Sequence, residues 1–228
     1  MKQLILLHGA LGTSDQLNPL ADKLSLEQPV SMLNFEGHGS ETIPDRPFRM
    51  EYFAENVLKF MDENEIDQAD LFGYSMGGYV AMYLALHHSE RVGKISTLGT
   101  LLKWSPEVAK REVKFLNPEK IREKVPKFAT ELNRRHPDVW EDVALKTKDL
   151  LSDLGKAPRI KDDEWSDIDH KIRIHVGDRD ETASIQQSME VYKQLKKGEF
   201  VVLPNSPHPI EQADQDLLAA SMNSFFGY

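Results

Sequence analysis

Short apolar-rich runs and longer stretches of helical spacing alternate along most of the chain. Gln3–His8 holds Leu4-Ile5-Leu6-Leu7 and is broken at once by Gly9, the pattern of a strand buried on both faces. Comparable runs recur at Val30–Phe35, Ala69–Tyr74, Val92–Leu98, Ile172–Val176 and Phe200–Leu203. Between them, Met50, Phe53, Ala54, Val57, Leu58 and Met61 mark one stripe. Ile210, Ala213, Leu217, Leu218, Ser221, Met222 and Phe225 mark another, each stripe at the spacing of a helix face. This alternation predicts an α/β fold, a mainly parallel sheet of six strands with helices on both faces.

The alternation fails once, between Leu101 and Trp165. No strand-like run occurs there, but Ser105-Pro106, Asn117-Pro118 and His136-Pro137 each place a proline after a candidate cap, a helix-start signal. Pro126 is expected to kink or split the second helix. The third carries the stripe Val139, Val143, Ala144, Thr147, Leu150, Leu151 and Leu154, with Gly155 as its expected terminator. Residues 101–164 hold 15 basic and 13 acidic side chains, against 13 and 24 in the rest of the chain. All three tryptophans, Trp104, Trp140 and Trp165, fall in or beside this stretch. About 65 residues far exceed a single crossover. The expected organisation is therefore a core of residues 1–100 and 166–228 interrupted by a helical insert, residues 101–165.

A net charge of −9 and a pI near 5.4 argue against nucleic-acid binding by phosphate neutralisation and against a cationic membrane-surface protein. The absence of cysteine removes disulfides, thiolate metal sites and a cysteine nucleophile. No apolar run approaches the roughly 18 residues of a bilayer span, and Leu4–Leu7 is too short for a signal-peptide core. The expectation is a soluble, cytoplasmic protein acting on a small molecule, with no nucleic-acid or membrane partner.

Asp70-Leu71-Phe72-Gly73-Tyr74-Ser75-Met76-Gly77-Gly78-Tyr79-Val80-Ala81-Met82 carries the most chemistry: an apolar strand runs through Gly-x-Ser-x-Gly-Gly into an apolar helix. A serine on so tight a strand-to-helix turn takes strained backbone angles and presents its Oγ at the carboxyl edge of the sheet. Glycines on either side let strand and helix approach closely. The helix N-terminus adds positive potential and the free N–H of Met76. His8-Gly9-Ala10-Leu11-Gly12 follows the first strand and can turn the Ala10 N–H into the same cleft, so Ala10 and Met76 are the expected oxyanion donors. His8 is expected to brace that turn.

A serine nucleophile needs a base, and the base an orienting carboxylate. Ile172–Val176 ends in Gly177-Asp178-Arg179-Asp180-Glu181, and Phe200–Leu203 ends in Pro204-Asn205-Ser206-Pro207-His208. Both lie after later strands, in the chain order Ser, acid, His. The expected triad is Ser75, His208 and Asp180. Asp180 has the room to turn back toward His208, whereas Asp178, beside Gly177, is placed to accept backbone N–H bonds. His87, His88, His136, His170 and His175 lie in a helix end, the insert or a strand, and compete poorly for the role of base.

On these residues the sequence resembles the α/β-hydrolase superfamily, and within it the small lid-bearing, serine esterase-like branch. His8-Gly9 is similar to the family's oxyanion turn, Gly73–Gly78 to its nucleophile elbow, Gly177–Asp180 to its acid loop and His208 to its terminal histidine. Gly37-His38-Gly39 resembles the loop after its second core strand, and residues 101–165 stand where these proteins carry a helical lid. The chain departs from the family pattern in having six core strands, in Asn34 where aspartate is common, and in Pro207 where glycine usually precedes the histidine.

The resemblance implies hydrolysis of a small or medium ester or related acyl substrate through an acyl-enzyme. The same triad also serves carbon–carbon bond hydrolysis, thioester hydrolysis and lyase chemistry. A weakly catalytic ligand-sensing receptor is the reading from another class. Gly37-His38-Gly39 lacks the last glycine of a dinucleotide fingerprint, and Asp178-x-Asp180 lacks the glycine of a calcium loop. No cofactor and no metal are expected. Lys110-Arg111, Arg134-Arg135 and Lys196-Lys197 read as solvated helix faces. Arg111, Arg122, Arg134 and Arg135 are nevertheless candidates to meet an anionic substrate under the lid.

Overall fold

The computed structural model describes residues 2–24 and 29–227, and every structural statement below refers to these. Six strands, β1 (Gln3–Leu7), β2 (Val30–Leu33), β3 (Ala69–Tyr74), β4 (Val92–Leu98), β5 (Ile172–Gly177) and β6 (Gly198–Leu203), form one sheet in the order β2-β1-β3-β4-β5-β6. Every neighbouring pair is parallel. Parallel neighbours require crossovers, supplied first by α1 (Asn18–Leu24), α2 (Met50–Glu63) and α3 (Met76–His87). Between β4 and β5 lie α4 (Pro106–Glu112), α5 (Pro118–Lys124), α6 (Pro126–Arg135) and α7 (Trp140–Lys156), the inserted helical lid. The chain closes with α8 (Ile185–Tyr192) and α9 (Gln215–Phe226).

The unbroken run in β1 has a direct cause. Successive side chains of a strand point to opposite faces. Ile5 and Leu7 pack with α2 and α3, whereas Leu4 and Leu6 pack with α1 and α9, so both sides must be apolar. The lid is continuous with the first of these cores, where Val143, Leu150, Leu154 and Trp165 are completely buried. β2 and β6 are the edges, and Val202 of β6 is correspondingly exposed.

Ser105 and Asn117 cap α4 and α5 through their side chains, accepting from the N–H groups of Val108 and Lys120, and Pro126 splits the second lid helix into α5 and α6. Three helix boundaries differ from expectation. α7 starts at Trp140 rather than Pro137, because Asp138 takes φ +64°, a left-handed turn no helix interior admits. Gly155 lies inside α7 instead of ending it. A Cβ there would come within 2.4 Å of Ala109 Cβ, so the glycine lets α7 pack on α4. The helix stops before Pro158, which disfavours helical angles at Ala157. α9 begins at Gln215, where Asp214 caps it by accepting from the N–H groups of Asp216 and Leu217. Ile210 therefore sits in a short 3-10 turn before the helix, and Leu217 faces solvent rather than the core.

Candidate active site

β3 ends at Tyr74 and α3 begins at Met76, leaving Ser75 alone in the elbow with φ 51° and ψ −115°. Its N–H donates to the Leu98 carbonyl at the end of β4, 2.8 Å away. The turn can be this tight only without side chains on its flanks. A Cβ on Gly73 would lie 2.3 Å from the Gly78 nitrogen, and one on Gly77 2.4 Å from the Leu7 carbonyl oxygen.

Ser75 Oγ lies 3.1 Å from His208 Nε2. His208 Nδ1 lies 2.9 and 3.0 Å from the two carboxylate oxygens of Asp180. This fixes the tautomer: Nδ1–H donates to the carboxylate and Nε2 is left to accept from the serine hydroxyl. The Asp180 side chain is only 2 % exposed, and its Oδ1 also accepts from the Thr182 and Ala183 N–H groups at 2.8 Å each. Asp178 takes the other position expected of it, accepting from the Ser206 N–H and tying the loop after β5 to the loop after β6. Tyr74 Oη donates to the His208 carbonyl, a second anchor for the histidine loop.

Ala10 and Met76 line the same cavity as Ser75, and among the described residues no group accepts from either backbone N–H. The turn carrying Ala10 is closed by Gly12 N–H donating to the Gly9 carbonyl, with Leu11 at φ 56°. His8 braces it as expected: Nδ1–H donates to the Gly9 carbonyl, and Nε2 accepts from the Phe35 N–H. Burial pushes the His8 pKa down to about 4, which keeps the ring neutral and able to do both. His136 was not legible as part of this arrangement. From the lid it reaches the carbonyl of Leu11 through Nε2 at 3.0 Å, and its Nδ1 accepts from Gly39 N–H at 2.9 Å. Nothing in its local sequence, a histidine before a proline, signals a contact with residues so far away in the chain.

The cavity above Ser75 has a volume of about 530 Å³. Its buried wall is apolar, with Met50 and Tyr79 from the core and Leu101, Leu116 and Leu151 from the chain beyond β4. Its exposed rim includes Phe115, Phe128, Glu211 and Gln212. Of the three tryptophans only Trp104 lines it; Trp140 and Trp165 are core residues of the lid. Of the four arginines singled out above, only Arg135 lines it. Arg111 contacts Glu112 and the Thr182 carbonyl, Arg122 pairs with Glu141 and Arg134 with Glu131. No group of acidic or histidine residues suited to hold a metal occurs among the described residues. Nor is any described helix long and apolar enough to cross a membrane.

A doubly covered parallel sheet, a serine on a strand-to-helix elbow and a helical lid between β4 and β5 define the α/β hydrolase architecture. The chain belongs to the α/β hydrolase fold family, whose model matches residues 2–136. It is 34% identical over 92 residues to the pimeloyl-[acyl-carrier protein] methyl ester esterase of Neisseria meningitidis, a segment covering 40% of this chain and 34% of that protein. Over 94 residues it is 31% identical to the esterase YbfF of Escherichia coli, covering 40% and 36% respectively. The matched segments thus span only about a third of these relatives. The enol-lactonase of Burkholderia xenovorans LB400 is similar in fold, with a TM-score of 0.82 at 20% identity, covering 100% of this chain and 92% of that one.

Proposed function

We propose that the protein is a serine hydrolase of small or medium acyl esters that works through an acyl-enzyme. The observation that carries this reading is the unbroken series Ser75 Oγ, His208 imidazole, Asp180 carboxylate, with contacts of 3.1 and 2.9 Å, at the floor of an apolar cavity. Ser75 Oγ attacks the ester carbonyl as His208 Nε2 takes its proton, and the imidazolium returns that proton to the departing alkoxide. Asp180 holds the ring in the tautomer that leaves Nε2 free and stabilises its charge. The N–H groups of Ala10 and Met76 receive the oxyanion, where preorganised donors contribute most. Water then enters by the same route and releases the acid. Residues 101–165 act as the lid that shapes the acyl pocket over a core of residues 1–100 and 166–228.

The names of the Neisseria and Escherichia relatives support ester hydrolysis within the family. The exposed rim favours turnover over a sensing receptor, which would close its ligand inside an apolar cavity. A fluorophosphonate probe should label the native protein at Ser75 and leave Ser75→Ala unlabelled, and a panel of p-nitrophenyl esters graded by acyl length should be hydrolysed. Equal labelling of both proteins, or equal ester turnover, overturns the reading.

A further inference from the structure

Arg135 is the only arginine lining the cavity among the described residues. Its side chain is 12 % exposed, and its two hydrogen-bonding partners among the described residues are both carboxylates. Nε donates to Glu131, one turn earlier on α6, at 2.9 Å. The guanidinium NH2 donates at 3.1 Å to Glu211, three residues after His208. Glu211 Oε1 also accepts from the Gln16 side chain at 2.5 Å. Glu211 itself lines the cavity, as does Gln16. One carboxylate thus joins three parts of the molecule at the rim: the turn after β1, the lid helix and the histidine loop.

From this we infer that Arg135 is an anion subsite already filled by the protein's own Glu211, so that the site selects uncharged acyl groups and rejects those ending in a carboxylate. The inference rests on the esterase reading and specifies its substrate class. The charge-assisted bonds of a guanidinium are directional, and a carboxylate already holding one arm occupies the place a substrate carboxylate would need. Glu112 also lines the cavity, and it is itself paired with Arg111 at 2.6 Å. An approaching anion therefore finds Arg135 and Arg111 already held by carboxylates, and the apolar wall beyond offers its charge no partner. Nothing opposes a neutral acyl chain, which gains by burying its methylenes against Leu116 and Leu151.

The test compares p-nitrophenyl hexanoate with the p-nitrophenyl monoester of adipic acid, which has the same chain length and a terminal carboxylate. The native enzyme is expected to favour the hexanoate in kcat/KM by about tenfold or more, the scale of one partly exposed charge contact. Glu211→Gln, which keeps the shape and removes the charge, should shift the ratio toward the adipate ester by about tenfold, chiefly through KM. Adding Arg135→Gln to that variant should remove the gain. Calorimetric titration with adipate needs no turnover, and should show clearly tighter binding to Glu211→Gln than to the native protein. A native enzyme that prefers the adipate ester, or an unchanged ratio together with unchanged adipate binding in Glu211→Gln, overturns the inference. So does a selective loss of adipate-ester activity in Arg135→Gln alone, because the subsite would then be open. Failure of the esterase reading looks different: no variant hydrolyses either ester, while adipate binding still reports on Glu211.

Discussion

His136, in the lid, stands 3.0 Å from the carbonyl oxygen of Leu11, in the turn that presents Ala10. A single imidazole thus joins the lid to the wall of the candidate site, and by accepting from Gly39 N–H it also holds the loop after β2. His136→Ala should leave Gly39 N–H and the Leu11 carbonyl without these partners. Expected costs are about 1–3 kcal/mol of stability and a fall in kcat larger than the change in KM. Urea unfolding and ester kinetics on the purified variant check both. A variant as stable and as active as the parent would remove the histidine from any positioning role.

Stability should fall as the pH drops below neutral. Burial pushes the pKa of His8 and of His175 down to about 4 and that of His38 well below its ordinary value; His136 is lowered by the same cause. These rings stay neutral in the native state while an unfolded chain takes up protons below about pH 6.5. The unfolded state then binds more protons, and the stability present above that pH is lost as pH falls toward 4, at about 1.4 kcal/mol per pH unit for each fully depressed histidine. Urea midpoints measured from pH 7.5 to 5 should change little above about pH 6.5 and decline steadily below it. A flat profile would contradict neutral burial.

Ser75→Gly should stabilise the fold while abolishing ester turnover. The serine holds φ 51° and ψ −115°, a region that costs a side-chain-bearing residue of order 1–3 kcal/mol and a glycine little. A thermal melt in which Ser75→Gly unfolds below the native protein would show that the elbow is not strained.

The two aspartates of the loop after β5 separate by role. Asp180→Asn should keep the shape but offer the imidazole an amide in place of its carboxylate, lowering kcat by up to ~10⁴-fold. Asp178→Asn touches the link to Ser206 and should cost about 1 kcal/mol of stability with activity largely kept. Reversed outcomes would exchange the assignments.

Gly177→Ala should disconnect the acid loop from the histidine loop. A Cβ at this position would lie 1.8 Å from the Ser206 carbonyl oxygen, so the chain carrying His208 must move away. Overpacking of this kind costs about 1–3 kcal/mol, and turnover should fall with it although no proposed catalytic group is changed. Native-like kinetics in this variant would mean that the loop yields without displacing His208.

The sheet was readable because β1 and β3 bury both faces and are rich in apolar residues, because Val92, Ile95 and Leu98 in β4 and Ile172, Ile174 and Val176 in β5 still stand out among polar neighbours, and because glycine marks the tight turns. Ser75, Asp180 and His208 could be placed because each follows a strand at the same edge of the sheet, so position in the chain implies proximity in space. The helix boundaries were less legible. Asp138 and Asp214 act through local backbone and cap geometry, while Gly155 answers to Ala109 on another helix. The pairing of Arg135 with Glu211, like the contact of His136 with Leu11, joins residues distant in sequence. Periodicity reports what a segment buries, and it carries no record of what that segment meets.

The lid departs after β4 and returns at β5, and these two strands are neighbours in register, Ile95 beside Ile172 and Leu98 beside His175. Because the strands run parallel, the chain leaves at one edge of the sheet and re-enters at the other, but the helical excursion itself is closed off where Lys103 Nζ lies 3.3 Å from the Asp162 carboxylate. A cap of different length or shape could be spliced between the same two sockets without moving any strand, provided that it restores a brace for the Leu11 turn. Such a cassette lets the reactive groups stay where they are while the chamber above them is remodelled, so new specificities can arise by exchange at two adjoining points.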